Sequence, residues 1–530
     1  MSRYGRPGFF ARYQDVLQLG ASIAFLLGLG LYTAARVDGM AWLSHELAWF
    51  LIVSVVVAGY MAMTIGANDA ANNVSPAVGA GAISMGWALL LGACFEVLGA
   101  LLAGERVLGV VRDSVIDVAR LSDTDVLALV MFSALLAGAL WLHAATALEV
   151  TVSTTHTIIG AIAGAGVAAG GWGLVNWPML LELTLGWIVS PVLGGLAAAG
   201  MLYLVKLSIT YRTDMAAAAA RVVPRLIAAM AWAFCTYLLL LGKGRLAGVG
   251  VGMACLLGAL AALPVWMLAR WLLRRQAPQM DNSKAGVNRL FAWPLVCAAA
   301  LLSFAHGSND VANAVAPLSA IHDALRAGAD AGAAGAGSHI WLLVIGALGI
   351  AAGVLLYGAG LVRTLGREIT ELDQMRAWAI TMAATLTVIF ATQVGVKVST
   401  THTVVGAIVG VGFLRELLKV NYARVEAAIR LRHREHEREQ AEAELARFKQ
   451  AEPHEKRRML ADMKRQAKAA GPGDGAVFDK RERRAFRKAY ESELVKRSLV
   501  LRIVAAWIVT MPAAAVLAAV LYAAVSGILK

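Results

Sequence analysis

Charge is scarce in this chain and unevenly spread. Only 16% of its 530 residues are charged, against 59% hydrophobic. That balance excludes a water-soluble protein, which has no means of hiding so much apolar surface, whereas a membrane protein turns it toward lipid. Cysteine is nearly absent: Cys94, Cys235, Cys255 and Cys297 each lie in an apolar run without metal-ligand spacing, as small core or lipid-facing side chains do. Aromatic residues are also few, 14 Trp, 14 Phe and 11 Tyr beside 52 Gly, a mixture that favours close helix approach and broken helices over bulky packing. Short alternating segments are missing, which excludes a β-barrel. No aromatic or zinc pattern accompanies the basic residues, so no nucleic acid is expected as a partner. Nor does any motif pair a nucleophile with a base and a leaving-group site, so neither an enzyme nor a cofactor is expected.

The apolar sequence itself falls into eleven stretches, near 18–35, 46–65, 86–103, 126–148, 180–205, 226–242, 246–272, 291–305, 340–361, 377–395 and 499–524. Each is long enough, or nearly so, to cross ~30 Å of hydrocarbon as a helix. The expected fold class is an all-α polytopic membrane protein, with membrane lipid as its surroundings. Arg3, Arg6 and Arg12 precede the first stretch, which reads as a retained helix. Basic flanks at Lys206, Arg212, Arg221, Arg225, Arg270, Arg274, Arg275, Lys284 and Arg289 mark the cytoplasmic side. Residues 421–497 carry 21 Lys/Arg and 14 Asp/Glu, a basic segment suited to the cytoplasmic surface of an anionic membrane. Within it, 424–468 reads as one long solvated helix or a short helical hairpin.

Inside the apolar chain are two polar islands, each present twice. Gly66-Ala67-Asn68-Asp69-Ala70-Ala71-Asn72-Asn73 returns as Gly307-Ser308-Asn309-Asp310-Val311-Ala312-Asn313-Ala314. Val152-Ser153-Thr154-Thr155-His156-Thr157 returns as Val398-Ser399-Thr400-Thr401-His402-Thr403. Asp69 and His156 are 87 positions apart, Asp310 and His402 92. Kept order and spacing indicate an internal duplication. Trp187 to Pro191 is echoed by Trp507 to Pro512, so the charged segment interrupts the second repeat before its last helix.

Asp69 and Asp310 are costly at membrane depth and need protein, water or ion partners. On a helix, Asn68 and Asn72 share a face, as do Asp69 and Asn72. Their oxygens suit the place of a hydration shell around Na⁺, and the aspartates alternatively suit a proton. Gly66 and Gly307, with Pro76 and Pro317 shortly after, suggest helices that break there and expose backbone N–H and C=O groups for ions. Ser153, Thr154, Thr155, Ser399, Thr400 and Thr401 offer neutral donors where a short helix starts, which suits a tetrahedral oxyanion that must be released. His156 and His402 suit a proton shuttle, the orientation of hydroxyls, or simple burial. Glu96, alone in an apolar helix, needs an unidentified partner. Lys397 either strengthens anion binding at the second hydroxyl cluster or extends to the surface. The Gly/Ala-rich stretch 325–338 is not expected to be helical.

With these paired motifs the sequence resembles the PiT family of inorganic phosphate transporters, which includes bacterial low-affinity phosphate permeases and eukaryotic sodium–phosphate symporters. The resemblance covers roughly 46–210, 290–415 and 499–524. It implies inverted-topology repeats with broken or re-entrant helices, and secondary active transport of inorganic phosphate by alternating access, coupled to Na⁺ or H⁺. A divalent metal carried with phosphate is a further possibility in bacterial members. By the resemblance, Asn68, Asp69, Asn72, Asn309, Asp310 and Asn313 coordinate coupling ion or substrate, Glu96 matches an important acidic position, and the two Ser-Thr-Thr clusters bind phosphate. The implied organisation is an extra helix at 1–42, repeats at 43–210 and 290–420, linking helices at 211–289, the charged insert at 421–498 and a final helix at 499–530. A bacterial inner membrane is the expected location and a homodimer a possible assembly. Thr151 and Lys397 stand where the family usually has proline, Thr381 where the second repeat usually has glutamate, and Asn73 where a small residue is usual. Alternatives are a permease for sulfate or arsenate, and a phosphate sensor or scaffold that binds without transport.

Overall fold

The computed structural model describes residues 14–40, 43–105, 115–120, 124–241, 249–276, 281–329, 340–368, 372–394, 398–430 and 497–529. Lys397, most of the charged segment 421–498 and the Gly/Ala stretch beyond Ala329 lie outside them. In chain order the helices are α1 (Gln14–Val37), α2 (His45–Gly79), α3 (Met85–Ala103), α4 (Thr124–Ala147), α5 (Thr154–Gly170), α6 (Trp177–Val205), α7 (Met215–Leu241), α8 (Val251–Gln276), α9 (Lys284–Arg289), α10 (Ala292–Asp310), α11 (Ala312–Ala329), α12 (Ile340–Glu368), α13 (Gln374–Gln393), α14 (Thr400–Arg430) and α15 (Arg497–Leu529). Among the described residues eleven spans are long and apolar enough to cross a membrane, and they match the eleven stretches of the sequence one for one.

The centre is α2. From Met61 to Ala77 every residue is buried, polar ones included. The helix runs unbroken through Gly66 and Pro76, so the expected break in the first repeat does not occur. In the second repeat the interruption is the single residue Val311 between α10 and α11, with ordinary right-handed backbone, φ −56°. What Gly66 and Gly307 provide is contact. A Cβ on Gly66 would meet the Ile350 carbonyl of α12, and one on Gly307 would lie 2.6 Å from Glu96 Cα of α3. The same approach is made in reverse by Gly353 of α12 against Met63 and by Gly99 of α3 against Phe304.

These contacts pair each repeat with the other. α2 packs on α12 and α10 on α3; further along, α5 packs on α15 and α14 on α6. Glycines again set the distance, Gly160 and Gly164 against α15 and Gly406 and Gly410 against α6. Every interlock therefore has a counterpart with the repeats exchanged. Gly353→Ala is expected to be strongly disruptive, because its Cβ would lie 2.8 Å from the Ala67 nitrogen and overpacking of this kind costs about 1–3 kcal/mol or more. Gly200→Ala, with open space around it, should change stability by no more than about 0.5 kcal/mol. Thermal unfolding in detergent compares the two.

Other expectations need correction at the margins. Residues 325–329 belong to α11, so the Gly/Ala stretch begins as helix. α14 continues to Arg430, into the start of the charged segment, because no breaker follows Phe413. α8 packs chiefly on α7 and presents most of its apolar surface outward, as a lipid-facing helix does.

Candidate functional site

Both duplicated islands meet at one buried place. The route there begins at the end of α4, where Glu149 takes a left-handed conformation, φ 54°, and Val150 N–H bonds back to the Ala145 carbonyl. The chain then runs extended past α2 before α5 begins. Asn68 holds this stretch: its Nδ2 donates to the Val150 carbonyl at 3.1 Å and to Thr146 Oγ1 at 3.2 Å, while its Oδ1 accepts from Val152 N–H at 3.1 Å. Asn309 does related work, its Nδ2 lying 3.5 Å from the Val398 carbonyl and 3.2 Å from Asp310 Oδ1. These asparagines position the loops that precede α5 and α14.

Ser153 is the N-cap of α5 and accepts from His156 N–H at 3.2 Å. Ser399 accepts from His402 N–H at 3.3 Å, so it plays the same part for α14. Both serines are caps, as serine at this position usually is. Of the threonines that follow, Thr154, Thr155 and Thr401 reach across to the other repeat, and Thr400 turns back to its own. Thr401 Oγ1 accepts from Asn72 Nδ2 at 2.9 Å and donates to Asp69 Oδ1 at 3.2 Å, and Asn72 Nδ2 also donates to that oxygen at 2.8 Å. On the other side Asn313 Nδ2 donates to Asp310 Oδ1 at 3.1 Å, to Thr154 Oγ1 at 3.2 Å and to Thr155 Oγ1 at 3.4 Å. Thr400 Oγ1 donates to Asp310 Oδ2 at 2.8 Å. The result is two matching cradles, each an Asp-Asn pair from one repeat closed by threonine hydroxyls from the other. All these side chains are almost completely buried. Among the described residues Asn72 Oδ1 and Asn313 Oδ1 have no hydrogen-bond partner, and a buried carboxamide oxygen needs one.

Between the cradles stands His306, a residue that the sequence reading passes over. Its Nε2 lies 2.9 Å from Asp310 Oδ2 and 3.3 Å from Asp69 Oδ2, and its Nδ1 lies 3.4 Å from Glu96 Oε1. These are ion-pair distances without hydrogen-bond alignment. Glu96 thus has its partners, His306 and Asn73, whose Nδ2 donates to Glu96 Oε1 at 2.6 Å. The exchanged contacts around Gly66 and Gly307 identify the equivalent of Glu96 in the second repeat as Ile350, not Thr381; Thr381 instead donates to the Ala377 carbonyl at 2.9 Å. His306 corresponds likewise to Ile65, and Asn73 to Ala314. One polar trio is therefore matched by an apolar one, and the duplicated site is not symmetric.

His156 and His402 do not line the cradles. Their rings meet at 4.5 Å and are flanked by Trp187, 3.9 Å from His156, and Trp507, 3.7 Å from His402. His402 Nδ1 lies 3.2 Å from the Trp187 carbonyl. This cluster of four rings, edge-on between the two histidines and tilted at each tryptophan, joins the starts of α5 and α14 to α6 and α15. The linking helices contribute once: Tyr237 of α7 is within 3.1 Å of Ser308 Oγ, beside the second Asn-Asp pair.

Comparison with known proteins places this geometry. The family described as the Phosphate transporter family matches residues 65–518. A protein of Helicobacter pylori (strain J99) named "Putative phosphate permease" is 42% identical over 522 residues, covering 98% of this chain and 96% of its own. A protein of Pyrococcus abyssi with a name of the same kind is 37% identical over 377 residues, covering 70% and 91%. A solved structure titled "The sodium-dependent phosphate transporter" superposes with a TM-score of 0.70 at 26% identity, over 90% of this chain and 99% of that one. With the family matched from Ile65 to Ala518, both cradles included, this membrane protein belongs to the phosphate transporter family.

Proposed function

We propose that phosphate transport by this chain is driven by Na⁺ bound in the two cradles, with phosphate held between the first turns of α5 and α14. The observation that carries this reading is the pair of cradles itself. Each joins a buried carboxylate and a carboxamide oxygen without a partner to threonine hydroxyls of the opposite repeat. Oxygen sets of this kind suit a hard cation. At the helix starts, the serine caps take the amides of His156 and His402 and leave those of the threonines, which an α-helix does not satisfy internally, for an anion. Neutral donors and helix N-termini bind phosphate without the grip of fixed arginines, so it can leave again.

Coupling follows from which helices each ligand joins. An ion in the first cradle holds α2 to α14, and one in the second holds the α10–α11 junction to α5. Phosphate bridges α5 and α14. Ion and anion together stabilise the closed arrangement more than either alone, which is the free-energy coupling that symport requires. The sodium dependence in the structural relative's title supports Na⁺ over H⁺. We also place the charged segment on the cytoplasmic side of a plasma membrane, the side that the short basic flanks around Lys206, Arg225, Arg274 and Arg289 mark.

Radiolabelled phosphate uptake into proteoliposomes, with sodium and pH gradients imposed separately at controlled potential, tests the reading. Accumulation driven by the sodium gradient is expected; accumulation driven only by the pH gradient would overturn it. Thr401→Val should raise the sodium concentration for half-maximal uptake about tenfold, because it removes a hydroxyl bond to a carboxylate worth about 1.5 kcal/mol. Thr401→Ser should stay near the parent.

One observation favours a second reading. Asp69, His306 and Asp310 each offer a ligand atom, and these atoms lie within 4.8 Å of one another, a nitrogen-and-carboxylate set that suits a divalent ion carried with phosphate. Phosphate-dependent accumulation of radiolabelled manganese in the same vesicles would select it.

A further inference from the structure

α6 carries a proline in its interior, Pro191. Proline has no N–H, so the carbonyl four residues before it, that of Trp187, loses its helical donor. Another donor stands beside that carbonyl: His402 Nδ1 of α14 lies 3.2 Å away. Both residues are buried, Trp187 at 3% exposure and His402 at 4%. A carbonyl oxygen can only accept, so Nδ1 of the imidazole carries the proton and donates it. Ser190 Oγ also reaches this oxygen, but at 3.5 Å, where a hydrogen bond is weak.

The two helices lie in backbone contact around this bond. A Cβ on Gly406 would lie 2.5 Å from Pro191 Cα, and one on Gly194 would lie 3.1 Å from Thr403 Cγ2. Glycine faces set how near the helices come, but they offer few side chains to interdigitate, so the turn of α14 about its own axis falls to directional contacts. Successive residues of a helix point about 100° apart. The first turn of α14 therefore aims three side chains three ways: Thr400 Oγ1 to Asp310 Oδ2 at 2.8 Å, Thr401 Oγ1 to Asp69 Oδ1 at 3.2 Å, and the His402 ring to α6. Ser399 ties the same turn by accepting from His402 N–H at 3.3 Å. Holding one of the three side chains holds the other two.

We propose that His402 is a positioning residue for transport, its bond to the carbonyl that Pro191 leaves free setting the rotation of α14 at which Thr400 and Thr401 meet the two aspartates. His402 acts through these threonines and not on the ion itself. Pro191 acts by withholding an N–H, which gives the kink in α6 a task at the site. The proposal deepens the transport reading and rests on it for the identity of the ion.

The test measures uptake of radiolabelled phosphate into proteoliposomes against sodium and phosphate concentration, for the parent and its variants. Pro191→Ala restores an N–H that competes for the Trp187 carbonyl. His402→Phe keeps a ring between His156 and Trp507 and loses the donor. Each should raise the sodium concentration for half-maximal uptake about fivefold, the effect of one neutral hydrogen bond. Together they should raise it no further, because both remove the same bond. His402→Asn, whose carboxamide nitrogen can take the place of Nδ1, should stay near the parent. Pro191→Ala should unfold at no lower temperature than the parent, since alanine suits a helix interior better than proline, so its weaker response to sodium is not a loss of structure. A His402→Phe protein with the parent's sodium response, beside a His402→Asn protein that has lost it, would overturn the proposal in favour of ring packing; additive shifts in the double variant would overturn it as well. A parent indifferent to sodium would overturn the sodium reading instead, and the same order of variants is then expected in the phosphate concentration for half-maximal uptake. Should the His402 variants fail to fold, Pro191→Ala decides alone, and a parental response from it overturns the proposal.

Discussion

Asp310→Asn is expected to abolish sodium-driven phosphate uptake while the protein still reaches the membrane. Asp310 is the most heavily engaged group in the site: it accepts from Thr400 at 2.8 Å, from Asn313 at 3.1 Å and from Asn309 at 3.2 Å, and lies 2.9 Å from His306. Asparagine keeps the volume, so the helices still fit. It removes the charge that a bound cation would meet and replaces one acceptor oxygen with a donor. A hydrogen bond to a charged group contributes about 1.5–3 kcal/mol, so loss of one such contact at the ion weakens binding roughly 10- to 150-fold. Asp69→Asn should act in the same direction, since Asp69 accepts from Asn72 and Thr401 in the matching cradle. Uptake in proteoliposomes, with membrane yield measured on the same preparations, separates this from misfolding. Normal sodium-driven uptake by a well-folded Asp310→Asn protein would remove the aspartates from the ion site.

The second large effect is expected at His306. Its imidazole lies between Asp69, Asp310 and Glu96, all completely buried. Removing one partner of a buried ion pair typically costs about 3–5 kcal/mol, because the other charge is left uncompensated. His306→Ala takes the one shared cationic partner from three carboxylates, which keep only their neutral donors, and should sharply reduce thermal stability in detergent. If Na⁺ occupies the neighbouring cradles, added sodium should restore more stability to the variant than to the parent, since ligand binding to the folded state stabilises it by mass action. His306→Gln, which keeps a donor of similar reach, should fall between the two. A His306→Ala protein as stable as the parent at low sodium would show that the imidazole is not what holds these carboxylates together.

How much of this could be read beforehand depended on what the duplication displays. Asp69, Asn72, Thr401 and their counterparts were legible because each occurs twice at matched spacing in apolar sequence, and the structure brings them together. His306 was not, for the opposite reason. It replaces Ile65 in the other copy, and a comparison that looks for sameness passes over a lone difference. The signal was there, a titratable residue in only one of two matched apolar runs. The expected helix break at Gly66 went astray because glycine permits either unwinding or close contact, and only packing against Ile350 decides which; in the second repeat the interruption does come, at Val311 just after Gly307. Asn68 and Asn309 read as ion ligands from their composition. Their partners, the backbone groups of Val150, Val152 and Val398, are distant in sequence and follow from tertiary structure alone. Helix positions, by contrast, were carried by apolar length itself, and all eleven spans could be placed.

The interlocking of the repeats has a consequence for how the protein is made. α2 cannot close against α12 until Gly353 has been synthesised, 287 residues after Gly66. At roughly 5–20 residues per second, that interval lasts about 15 to 60 seconds. During it the helix that carries Asn68, Asp69, Asn72 and Asn73 waits in the bilayer without the partner that covers it. α5 waits similarly for α15, which is made only after the charged segment. A nascent chain of this design needs an insertion machinery or a membrane chaperone that shelters early helices until late ones arrive, and any stall in translation between the repeats would leave the first half exposed to membrane proteolysis.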